Sequence, residues 1–247
     1  MTTLALSVIF WHYEFPMKTS QKILGIDSNA KTKKGLILNH TTAIVYLSPS
    51  TKSGKNLCAW SSAGCEGACL DTAGRGAMKP IQDARLKKTY FFLDEQETFI
   101  LQLKQEIKAF ERSAGKKTLI PCVRLNGTSD VSWHKIGNIM QEFSHIQFYD
   151  YTPNPQRMIQ FLRGELPSNY HLTFSRKENN EAHCDLILSM GGNVAVVFDK
   201  LPSTWKGYPV INGDESDLRF LDPKNVIVGL KAKGKGKKDT SGFVVKI

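Results

Sequence analysis

No apolar run in this chain of 247 residues approaches the roughly 20 needed to cross a bilayer, so a helical membrane protein is excluded. The first residues, MTTLALSVIFWHYEFPMK, hold a short apolar run but lack a basic start and a small-residue cleavage site. They read as a non-native or loosely attached extension, with Met17 as an alternative start, and not as a secretory leader. An even cysteine set is missing too. Five cysteines, three of them crowded into residues 58–69, do not make the disulfide framework of a small secreted domain. The expected setting is a reducing cytoplasm, where the sequons at Asn39 and Asn126 carry no glycan. Acidic residues are scarce: 23 against 33 Lys and Arg leave a charge of +10. That balance favours anionic partners, small molecules or nucleic acid, and says nothing about fold or oligomeric state. The local C-x2-C and H-x3-H pairs of a zinc module are absent, and no internal repeat is found.

What is present is an alternation of strands and helices. Residues 1–40 read as an extension and a Lys-rich preamble, with a short hairpin near Gly25 and Gly35. Residues 41–247 read as one α/β domain, long enough to bury a full core. Ala43–Ser48 is a β-branched and aromatic run, the first core strand. It delivers the chain into the glycine-rich cysteine loop 57–76. Residues 80–93 have helical spacing, and Asp94 with Glu97 resembles a capping box for a second helix that Gly115 stops. Strands follow at 118–124, 146–150, 170–174, 193–198, 210–211 and 226–230. Helices are expected at 137–143, 155–163 and 179–190, the middle one opened by Asn154-Pro155. This order predicts parallel βα units: a full or partial TIM-like (β/α) barrel, or alternatively an open doubly wound sheet. The tail KAKGKGKKDTSG reads as a solvated Lys/Gly run.

In such folds chemistry gathers where strands end and loops begin. The strand ends here are polar: Arg124, Asn126 and Asp130 in RLNGTSD, then Asp150 and Tyr151 in YDYTPNP. Ser175 follows in HLTFSRKE, and Asn212 and Asp214 in NGDESD. These residues are the expected contacts for substrate or cofactor. Cys58, Cys65 and Cys69 are the expected metal ligands, because thiolates suit iron–sulfur clusters and zinc. Three thiolates on a four-iron (4Fe-4S) cluster leave one iron free, whereas zinc would take a fourth ligand from His134, His171 or His183. Cys122 reads as core, and Cys184 as core or a reactive thiol.

CEGACLDTAGRG, VRLNGTSD, YDYTPNP, NYHLTFS and NGDESDLRFLDP…VIVGLKAKG together resemble the phage family called gene product eighty-eight, over about Tyr46 to Phe243. The resemblance implies a phage, prophage or plasmid origin and a host-cytoplasm setting. A more distant likeness is to radical S-adenosylmethionine enzymes, whose three cysteines follow the first strand of a partial βα barrel. Their C-x3-C-x2-C is C-x6-C-x3-C here, and no Gly-Gly-Glu motif follows the second strand. The likeness implies a cluster at Cys58, Cys65 and Cys69, with S-adenosylmethionine as an associated cofactor. Three functions are therefore expected in order. The first is an iron–sulfur protein, radical-type if an enzyme, acting on a nucleotide, nucleic acid or other anion. The second is a zinc-stabilised or metal-free nucleic-acid-binding protein of phage replication. The third is a divalent-metal hydrolase or nuclease using Asp130, Asp150 and Asp214.

Overall fold

The computed structural model describes residues 21–247; the extension expected at residues 1–16 lies outside them. Nine strands form one open sheet among the described residues, in the order β1-β2-β3-β4-β5-β6-β9-β8-β7. The strands are β1 (Leu24–Ile26), β2 (His40–Val45), β3 (Ile120–Arg124), β4 (Gln147–Thr152), β5 (Tyr170–Ser175), β6 (Val194–Phe198), β7 (Thr204–Trp205), β8 (Tyr208–Asn212) and β9 (Ile227–Lys231). Strands β2 to β6, β9 and β8 pair in parallel, and only the edge strands β1 and β7 run antiparallel. Pro121 fits in a central strand because the β3–β4 ladder begins one residue later, at Cys122.

Seven α-helices accompany the sheet among the described residues: α1 (Ala30–Lys34), α2 (Ala63–Gly67), α3 (Lys79–Asp94), α4 (Gln96–Gly115), α5 (Ile139–Glu142), α6 (Pro155–Leu162) and α7 (Glu181–Ser189). Side chains from α3 to α7, among them Phe92, Leu103, Met140, Met158 and Ile187, join Val45, Val123, Phe148, Leu172 and Val196 of the sheet in one apolar cluster. Strand side chains alternate between faces, so the neighbours Cys122 and Tyr149 point the other way, where they meet Leu218 and Phe220.

Two expectations about architecture are corrected. The sheet does not close, which excludes the full barrel. The doubly wound alternative fails because the larger helices share one face. The order from β2 to β6 advances without reversal, so successive right-handed crossovers keep returning to that face.

Local corrections follow the same logic. Residues 21–40 hold no hairpin of their own: β1 pairs with β2 at the sheet edge, then Asn29 caps α1 in a capping box with Thr32. Asp94 caps nothing, because α3 runs through it and the break falls at Glu95, with φ −132° and ψ 52°. Asn154 does cap α6, accepting from the Arg157 amide at 3.2 Å with Pro155 in the first turn. The Lys/Gly tail is docked, not free. The Arg176 guanidinium donates to the Gly242 and Phe243 carbonyls at 2.5 and 2.8 Å, and Phe198 bridges to Val245. Lys235, Lys237 and Lys238 nevertheless stay exposed.

Two histidines tie stability to pH. Burial lowers His134 and His171 to about 4, and nearby Arg157 and Arg219, respectively, add to the effect. His134 stacks near Tyr170 and His171 meets the Phe161 ring edge-on. A folded pKa below the unfolded one gives stability that is present above pH 6.5 and lost as pH falls toward 4. The expected loss is on the order of 2 kcal/mol per histidine. Urea midpoints measured across that window should fall in the wild type and fall less far in His171→Phe, where the His134 contribution remains.

Candidate functional site

A cavity of about 460 Å³ opens at the carboxyl ends of the parallel strands. Its wall includes Cys58, Cys65, Cys69, Arg124, Asn126, Asp130, Tyr151, Ser175 and Asp214. Nine of the eleven residues expected to form a site are therefore brought together. Asp150 and Asn212 do not reach the cavity.

The cysteine segment is more ordered than a loop of glycines suggests. Ser62 caps α2 by accepting from the Cys65 amide at 3.3 Å, which places Cys65 in the helix and Cys69 just beyond it. Glu178, from the loop after β5, grips the start of α2. Its carboxylate accepts from the Gly64 amide at 2.8 Å and the Ser62 hydroxyl at 2.7 Å. Any Cβ on Gly64 would collide with the Ser241 hydroxyl and come within 2.8 Å of that carboxylate, so only glycine lets helix, Glu178 and tail meet here. Beyond Cys69 the segment is pinned by Asp71. This 2% exposed carboxylate is paired with Lys52 and Arg85.

The three thiols form one electrostatic unit. Burial pushes Cys58 up to about 11 and Cys65 up to about 12, and raises Cys69 as well. Cys58 and Cys65 are raised further by the charge Cys69 would carry, and Cys65 also by that of Cys58. The Ser50 amide, which donates to the Cys58 sulfur at 3.3 Å, works the other way, and the backbone at Ser62 and Asp71 acts in the same direction on Cys65 and Cys69. Lys177, only 7% exposed, adds a favourable charge near Cys65 while donating to the Trp60 carbonyl at 2.7 Å.

Such a set resists ionising together unless a cation sits among the sulfurs. Among the described residues no three of His, Cys, Asp and Glu are grouped as a site for a metal ion. A single zinc would need sulfurs about 2.3 Å from its centre, whereas a multi-iron cluster spreads its thiolates further apart. Three thiols are donor chemistry that zinc sites and iron–sulfur clusters both use. Metal-free protein should accordingly react slowly with iodoacetamide at pH 7, since the thiolate is the nucleophile. Alkylation of Cys58 and Cys65, followed by mass spectrometry, should rise about tenfold per pH unit until near pH 11. A plateau by pH 9 would contradict the environment described.

Several expected ligand contacts turn out to hold the scaffold. The Asn126 side chain accepts from Ser129, Val131 and Trp133 and donates to the Val131 carbonyl, so its groups are taken up in shaping its own loop. Asp150 points to the helix side, where it accepts from the Asn126 amide at 2.8 Å and the Tyr170 hydroxyl at 3.1 Å. Burial raises it to about 7 despite Arg124 nearby. Asp130 pairs with the 4% exposed Arg157 at 2.6 Å, and Asp214 with Lys233 at 2.6 Å. Asn212 closes a turn with Asp214 and Glu215. Asp130 and Asp214 thus line the cavity with their carboxylates already paired to Arg157 and Lys233, while Asp150 lies behind the wall.

The sequence reading missed Lys31, Lys52 and Lys177. Lys31 comes from the stretch set apart as a preamble, yet α1 carries it into the cavity wall beside Asp217 at 3.2 Å. Nothing in the local pattern marks it, because its contact lies 186 residues away along the chain. Asp217 is the hub there. It is 1% exposed and bonded to Arg124 at 3.0 Å; burial alone would raise it, but Arg124, Lys31 and Arg219 together hold it below the usual carboxylate range.

The sequence model of the family described as gene product 88 matches residues 18–247. Neither the curated proteins nor the solved structures yield a match. Among the described residues no helix is long and apolar enough to cross a membrane.

Proposed function

This chain belongs to the gene product 88 family, and for it we propose an iron–sulfur protein in which Cys58, Cys65 and Cys69 hold a four-iron cluster. One observation carries the reading. Three thiols from one short segment line the same cavity and feel one another's charge, and the Cys58 sulfur accepts from the Ser50 amide. Their position after the first parallel strand, where the polar strand ends converge, supports an active-site cluster over a peripheral clip. A sheet that advances in one direction with helices on one face is compatible with a partial (β/α) barrel. That architecture is the finer form of the fold reading.

With three protein thiolates one iron stays open, and such a cluster with S-adenosylmethionine supplies one-electron chemistry. The chain's own part is to bind, orient and shield. Glu178 and Asp71 hold the two ends of the cysteine segment in place. Lys177 keeps a positive charge beside Cys65. The docked tail brings Lys233, Gly236 and Phe243 to the cavity wall and reduces access of water. Arg124, Tyr151 and Ser175 face the same space and are the side chains available to a substrate. In this reading the protein works in the host cytoplasm.

The test is anaerobic reconstitution with iron and sulfide, then reduction and electron paramagnetic resonance with and without S-adenosylmethionine. A cluster signal that changes on adding the cofactor is expected. An unchanged signal would remove the radical-type reading and leave the cluster; a protein that takes up no iron would remove both.

A further inference from the structure

The cavity has two chemically distinct parts. The charges that act on the three thiols are those of Asp71, Lys52, Arg85, Asp130, Glu66 and Lys177, besides the thiols themselves. A separate set surrounds Lys31: Tyr151, Asp217, Arg219 and Arg124. Asp214 connects to it through Lys31 and is bonded to Lys233 and the Lys231 amide. None of the three cavity thiols has a charge of this second set among the causes acting on it, although both groups line one cavity.

On the cavity wall the second part is mostly cationic: Lys31, Arg124, Lys231 and Lys233 line it beside the one carboxylate of Asp214. Lys31 and Arg124 share the carboxylate of Asp217, and the Arg124 Nε, 3.9 Å from the Asp150 carboxylate, has no hydrogen-bond partner among the described residues. Tyr151 lies between them in the charge network, 4.9 Å from the Arg124 guanidinium and 5.7 Å from the Lys31 ammonium, with its hydroxyl also unpartnered. Around the whole cavity seven Lys and Arg face four Asp and Glu. Enclosed, unneutralised cations are costly unless an anion shares the space. A volume of about 460 Å³ suits a small molecule and not a polymer strand.

We infer that the wall formed by Lys31, Arg124, Tyr151 and Lys233 is a subsite for the phosphate or carboxylate groups of a small polyanionic ligand, beside the cysteines but independent of them. The inference deepens the reading above by naming the substrate class. Its test uses protein without iron, so the two ideas fail separately.

Inorganic pyrophosphate and citrate, titrated calorimetrically into the iron-free protein at low salt, separate phosphate from carboxylate recognition. Binding of one or both is expected, weakening as salt screens the charges. Lys31→Met and Lys233→Met should each weaken it at least tenfold. A Lys235→Met, Lys237→Met double variant, altered outside the cavity, should bind as the wild type does. If Lys31→Met fails to fold, Lys233→Met, whose side chain is 44% exposed, carries the test. Absence of binding by both probes would overturn the inference. So would an equal loss in the Lys235, Lys237 variant, or binding of a single-stranded oligonucleotide without either small anion, since each moves recognition to the exposed tail.

Discussion

Replacing any one of Cys58, Cys65 or Cys69 by Ser is expected to cut the iron retained after anaerobic reconstitution at least tenfold while leaving the fold intact. A hydroxyl is a hard, weakly acidic group and a poor substitute for a soft thiolate on iron. Each of these side chains is only partly buried at the cavity wall, so the exchange removes little packing. Melting temperatures of the iron-free variants should stay within a few degrees of wild type. Cys122→Ser and Cys184→Ser should behave in the opposite way. Both sulfurs are fully buried, Cys122 beside Thr42 and Tyr149 and Cys184 within the main core. A hydroxyl there costs about 1–3 kcal/mol, seen as a lower urea midpoint, with iron uptake preserved. Iron content that falls equally in all five variants would mean that only fold stability is being read. Iron content that falls in none would remove the cysteine site.

The second large effect concerns Asp217. Asp217→Asn is expected to destabilise the protein by about 3–5 kcal/mol, because removing one member of a buried charge network leaves its partners uncompensated. Arg124 and Lys31 lie at 3.0 and 3.2 Å, and Arg219, itself paired with Asp222 at 3.2 Å, adds a third positive charge. Urea unfolding at pH 7 measures the loss. A companion variant, Asp214→Asn, removes a carboxylate that is one-fifth exposed and should cost less than about 1 kcal/mol. Equal losses in the two variants would show that the buried cluster is not the hub described.

Much of the frame was legible because its signals are local. The strands at 120–124, 147–152, 170–175 and 194–198 are compact apolar or β-branched runs, and Asn154-Pro155 announces a helix start within two residues. The convergence of strand ends was legible too, since parallel βα units place all such ends on one side. What escaped depends on distance along the chain. Whether a parallel sheet closes is set by how the edge strands meet, and β1 comes from a stretch that looked like a preamble. Asp94 looked like a cap because Glu97 follows it, but α3 continues one residue too far for that role. Asp150 and Asn126 look like ligand contacts in a one-dimensional motif. Strand alternation turns Asp150 toward the helices, where it anchors Asn126 and Tyr170. The tail reads as solvated by composition, yet Arg176 and the bridge to Val245 tie its backbone down while three lysines remain in water.

Iron and acid-labile sulfide, measured in protein isolated anaerobically from cells together with its visible absorption, decide whether the cysteine segment holds a cluster. About four irons and four sulfides per chain are expected, in a brown protein with broad absorption near 400 nm. A colourless protein with stoichiometric zinc, or with no metal after reconstitution, would contradict that expectation.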